Sequence, residues 1–126
     1  MTIVTDCVPN NAAAVFELLS LECRVDVEGT AEYYNALGQR HREHGPAIVY
    51  EDGTREWFLN GIRHRADGPA VVYTSGTREW YLNGQRHRLD GPAVEYSDGY
   101  CAWFIDGKAL TEAEWQQATV ARTCAA

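Results

Sequence analysis

The chain has 126 residues, 45% hydrophobic and 23% charged. That is one domain of ordinary globular composition, and it excludes a disordered, collagenous or disulfide-dense chain. Eighteen Asp and Glu against eleven Lys and Arg give a formal charge of -7, which argues against a general grip on nucleic acid or on an anionic membrane. Asp6 stands where a signal peptide would be basic, the first cation is Arg24, and the longest unbroken apolar run is only Ala12 to Phe16. Neither export nor membrane spanning is expected, and the chain reads as cytoplasmic. Cys7, Cys23, Cys101 and Cys124 contain no C-x-x-C pair and read as free thiols, with a Cys7 to Cys124 bridge left open.

In chain order, residues 1–32 are an acidic segment holding Asp6, Glu17, Glu22, Asp26, Glu28 and Glu32 against Arg24 alone. Within it, Asn11 to Leu21 places Val15, Leu18 and Leu19 on one face behind Pro9 and an Asn at 10 or 11, which predicts a short capping helix.

Residues 33–110 are repetitive. Glu56 to Val71 (EWFLNGIRHRADGPAV) recurs as Glu79 to Val94 (EWYLNGQRHRLDGPAV), a period of 23 residues. A degenerate copy precedes them, with Tyr34 in the Trp phase and Gly38 in the turn, and a half copy from Trp103 to Gly107 follows. Atypical end units are what a stack of repeats requires. Asn60-Gly61, Asn83-Gly84 and Asp106-Gly107 end aromatic runs, the strongest short hairpin signal. Pro46, Pro69 and Pro92 share one phase after Gly, where a residue without an N–H marks a bend. Two strands per period then repeat by translation, advancing the sheet by roughly 9.6 Å per copy. The predicted fold is mainly β: one elongated antiparallel sheet of about seven or eight hairpin strands with short N- and C-terminal helices, in one cooperative domain. The second helix lies in residues 111–126, where Thr111 to Glu114 has capping-box spacing.

Units with an aromatic, then Asn-Gly, then Arg-His, then Asp-Gly resemble the MORN repeat and its variants, over about Tyr34 to Gly107. The resemblance implies an elongated hairpin sheet that scaffolds protein or lipid contacts without intrinsic catalysis. The chain departs from the common pattern where Arg42, Arg65 and Arg88 follow the His in place of Gly, and where Gly-Pro-Ala replaces the later glycine pair.

His41, His64 and His87 form a column, but zinc holds two nitrogens within roughly 4 Å of each other and equivalent strands lie roughly 9.6 Å apart. They are therefore read as structural, each bracing the bend through the Asp that follows, together with Asp67, Asp90, Gly68, Pro69, Gly91 and Pro92. No metal, cofactor, phosphate loop or catalytic nucleophile is expected. The Arg-His-Arg triplets are nearly balanced by acids within the repeats, so no direct nucleic-acid binding is expected either.

Trp57, Trp80 and Trp103 fall on one side of the sheet and Phe58, Tyr81 and Phe104 on the other. Two short helices cannot cover both sides, so either the sheet curls over these rings or they meet a partner protein or a second copy. The function expected is a non-catalytic interaction module. The alternative is an inhibitor encoded by a phage or mobile element, which binds a nucleic-acid-handling protein through Asp6, Glu17, Glu22, Asp26 and Glu28 and the aromatics. An enzyme is third.

Overall fold

The structure, a computed structural model, describes residues 21–124. The predicted N-terminal helix apart from Leu21, and the acids Asp6 and Glu17, lie outside the described residues. Among the described residues thirteen strands precede one helix: β1 (Glu22–Val25), β2 (Ala31–Tyr34), β3 (Ile48–Val49), β4 (Arg55–Glu56), β5 (Phe58–Leu59), β6 (Ile62–Arg63), β7 (Val71–Val72), β8 (Arg78–Glu79), β9 (Tyr81–Leu82), β10 (Gln85–Arg86), β11 (Val94–Glu95), β12 (Cys101–Ile105), β13 (Lys108–Leu110) and α1 (Glu112–Cys124).

The main sheet is antiparallel and has nine strands in the order β1-β2-β3-β4-β7-β8-β11-β12-β13. It exceeds the expected seven or eight because the acidic segment contributes β1, which forms a four-rung ladder with β2. The alternation in Glu-Cys-Arg-Val drives this: Cys23 is buried against Tyr33, with Leu21 and Val25 beside them. Cys23 is also disulfide-bonded, and the Cys7 to Cys124 bridge left open above lies outside the described residues. This corrects the expectation of four free thiols and removes that support for a cytoplasmic location. Cys101 is free and exposed. Among the described residues no helix is long and apolar enough to cross a membrane.

The Asn-Gly hairpins β5–β6 and β9–β10 leave the main sheet as separate two-stranded sheets. The handover falls at the tryptophan. The Trp57 amide donates to Ala70 O across the main sheet, whereas its carbonyl accepts from the His64 amide within the hairpin. Trp80 does the same with Ala93 and His87. One residue cannot serve both ladders without twisting, so the direction changes there as well as in the loop that holds Gly68-Pro69. The hairpins then stack on one another: Arg65 N donates to Tyr81 O and Gly84 N to Arg63 O, and the next copy repeats this with Phe104 and Arg86. Asn60, Asn83 and Asp106 adopt φ of 51°, 52° and 50°, each followed by a glycine near 80°, the geometry of a two-residue hairpin turn.

The first copy is out of phase by one residue. Tyr33, rather than Tyr34, takes the tryptophan place: its amide donates to Ala47 O and its carbonyl accepts from His41 N, as at Trp57 and Trp80. The turn around Asn35 absorbs the extra residue, with Gly38 N bonded to Asn35 O and the Asn35 side chain accepting from Leu37 N and Gln39 N.

Directly paired residues share a face. The register therefore puts Ile48, Glu56, Val71, Glu79 and Val94 in one row, and Val49, Arg55, Val72, Arg78 and Glu95 in the row behind it. Ile48, Val71 and Val94 are the largest fully buried side chains, each contributing about 1.5–3 kcal/mol relative to exposure.

Candidate interaction surface

On the tryptophan side, each loop is closed by its own arginine. The Arg65 guanidinium lies 3.9 Å from the centre of the Trp57 ring, donates to Pro69 O at 3.0 Å and pairs with Asp67 at 3.1 Å. Arg88 repeats this on Trp80 at 3.8 Å, with Pro92 O and Asp90. Arg42 covers Tyr33 at 4.1 Å, which supports the corrected phase. A Cβ on Gly68 or Gly91 would stand 3.0 or 2.7 Å from the arginine Cζ, so a larger residue there pushes the guanidinium from its present place. Ala70 and Ala93 beyond the proline are 0% exposed.

On the opposite side, arginine and aromatic rings alternate. Arg63 lies 5.4 Å from Phe58 and 5.0 Å from Tyr81, and Arg86 lies 5.8 Å from Tyr81 and 5.4 Å from Phe104. These guanidiniums serve the two buried acids of the valine row: Arg63 pairs with Glu56, and Arg86 with Glu79 at 2.8 Å. Tyr50 donates to Glu56, and Tyr73 donates to Glu79 at 2.9 Å. Burial, then the hydrogen bond to the carboxylate, pushes both phenols up to about 12. Buried carboxylates demand such partners. The network stops where Ala102 and Ala109 occupy the Glu and Arg phases.

The histidines are joints between copies. His41, His64 and His87 Nδ1 accept from the backbone amides of Asn60, Asn83 and Asp106 at 2.9, 2.9 and 3.0 Å. Each thus braces the turn of the following copy. It does not act through the next Asp, because Asp67 and Asp90 are taken by Arg65 and Arg88. An accepting Nδ1 carries no proton, so each neutral ring is protonated at Nε2. Among the described residues no group of three or more His, Cys, Asp or Glu is placed to hold a metal ion.

None of the six columnar rings, Trp57, Trp80, Trp103, Phe58, Tyr81 and Phe104, is exposed. Arginines cover all of them but Trp103, which Trp115 meets, and the accessible apolar groups are others, including Tyr50, Tyr73, Tyr96, Tyr100, Ile62 and Leu89. Of the acidic candidates, Glu22 pairs with Arg24 at 2.8 Å, Asp26 shapes its turn by accepting from Glu28 N and Thr30 N, and Glu28 is exposed.

What the tryptophan side does present is a pair of clefts between successive copies. One, of about 600 Å³, is lined by Trp57, Leu59, His64 and the preceding Arg42 loop. Its equivalent, of about 430 Å³, is lined by Trp80, Leu82, His87 and the Arg65 loop. One period further, Thr111 stands in the Arg65 and Arg88 phase, and the helix supplies the cover. Trp115 packs 4.6 Å from Trp103 at 50° and donates from Nε1 to Arg88 O at 2.8 Å. The helix is set by the predicted capping box: Thr111 N donates to Glu114 Oε1 at 2.9 Å and Glu114 N to Thr111 Oγ1 at 3.1 Å. Sequence reasoning missed Leu59, Leu82 and Trp115 as surface-shaping residues. The available signal was that Trp115 is the one indole off the 23-residue period. Comparison with protein families, curated proteins and solved structures finds no match.

Proposed function

We propose that the chain is a non-catalytic protein–protein interaction module built on MORN-like repeats. The observation that carries this reading is the pair of equivalent clefts, which offer the same tryptophan, leucine and imidazole at a fixed spacing on a backbone held by two rows of hydrogen bonds. Clefts repeated from copy to copy suit an extended partner that contacts successive copies. The test compares the wild-type chain with a Leu59→Ser, Leu82→Ser double variant whose fold is verified by circular dichroism. The reading expects a stoichiometric partner, retained by the wild type and lost by the variant. A partner indifferent to both leucines, or none, would overturn it. Light scattering determines whether that partner is a second copy.

A second reading, the inhibitor of a nucleic-acid-handling protein, is favoured by one contact. A Cβ placed on Gly29, beside Asp26 and Glu28, would stand 3.8 Å from Glu51 Cγ, so two acidic turns adjoin. An array of carboxylates can stand in for nucleic-acid phosphates. This reading requires binding to fall with added salt and to vanish when Asp6, Glu17, Glu22, Asp26 and Glu28 are neutralised.

A further inference from the structure

The chain shows in its own last copy what fits between two arms. In the terminal copy the space between the Arg88 loop and Trp103 is occupied by the Trp115 indole, which donates to the Arg88 carbonyl at 2.8 Å. One period earlier, the cleft between the Arg65 loop and Trp80 is open. Arg65 is held as Arg88 is, its amide donating to Tyr81 O at 3.1 Å where Arg88 N donates to Phe104 O at 3.3 Å. The two carbonyls are therefore presented alike. Among the described residues no donor reaches the Arg65 carbonyl.

We propose that this cleft receives a tryptophan side chain of a partner protein, its indole N–H on the Arg65 carbonyl and its ring against Leu82. The volume of about 430 Å³ is within the range of small-molecule sites and accommodates one indole. Tryptophan is specified by the combination of a broad apolar ring and a single donor with no acceptor. There is one difference from the template. Arg88 already covers Trp80 at 3.8 Å, whereas Thr111 leaves the Trp103 face to Trp115. The incoming ring therefore lies beside the Arg88 guanidinium without displacing it. Such planar cation contacts with aromatics are favourable.

This inference names the partner chemistry of the interaction module and rests on that reading. The test titrates the full chain with N-acetyltryptophanamide and follows Leu82 methyl and Ala66 amide resonances. Shifts should concentrate there and be lost in Leu82→Ser. The N1-methylated analogue should bind at least about tenfold more weakly, the loss of one hydrogen bond. Absence of shifts at the cleft, equal binding of the methylated analogue, or equal binding of N-acetyltyrosinamide would overturn the assignment. The two proposals fail separately. If a partner depends on Leu59 and Leu82 but the probe ignores the cleft, the module stands and the tryptophan assignment falls. If the probe binds but no partner needs the leucines, the site stands and the module falls.

Discussion

At the scale of the residue, the recurring places in the repeat answer to contacts made by one another. Arg88 lies on Trp80 in space that a Cβ on Gly91 would crowd, and it is held there by Pro92 O and Asp90. Gly91→Ala is therefore expected to expel the guanidinium and to lower stability by about 1–2 kcal/mol, the sum of a cation–π contact and a hydrogen bond. Urea denaturation followed by tryptophan fluorescence measures it. His64→Ala should cost about 1 kcal/mol by leaving the Asn83 amide without its acceptor. His64→Asn should cost less, because Oδ1 stands as many bonds from the backbone as Nδ1. The Asn83 amide resonance reports the difference. The 23-residue recurrence marked these residues as structural, but it could not name their partners. The histidine bond spans 19 residues, a distance on which sequence periodicity is silent.

At the scale of the element, the hairpin turns were legible because Asn-Gly and Asp-Gly carry their conformation locally. The break at each tryptophan was not. It arises from competition between two ladders for one peptide unit, a tertiary event with no signal of its own. The same holds for the first copy, where Tyr33 and Tyr34 are chemically alike and only the hydrogen-bond pattern distinguishes them. Two strand-end tyrosines give the sheet a pH dependence. The folded phenols of Tyr50 and Tyr73 titrate at about 12, against about 10 in an unfolded chain. Between these values the folded state holds more protons, so the stabilisation is fully present below about pH 10 and is lost as pH rises toward about 12. Alkaline titration by ultraviolet absorbance should show both phenols ionising late. Tyr50→Phe and Tyr73→Phe should flatten the decline of melting temperature over that window.

At the scale of the whole molecule, successive copies repeat the same hydrogen bonds, so a period is a removable unit. Deleting residues 64–86 joins Arg63 to His87, removes β7 and β8 from the nine-stranded sheet and removes the β9–β10 hairpin, leaving every remaining junction equivalent to one already present. The shortened chain is expected to fold with a lower midpoint and a smaller urea m-value while keeping a single transition. Two transitions would mean that the copies unfold separately. The antiparallel sheet was readable from turn spacing at this scale. The coverage of its faces was not, because whether an aromatic column meets solvent depends on where flexible arginines settle after folding.

The helix that ends the array gives the molecule an optical handle. Of its four tryptophans, two lie beneath guanidiniums, while Trp103 and Trp115 meet ring to ring at 4.6 Å. Indoles so close and so inclined share their electronic transitions, which gives a paired positive and negative band in far-ultraviolet circular dichroism. That band should vanish when the helix lifts away, so undocking can be followed in real time without any dye or tag.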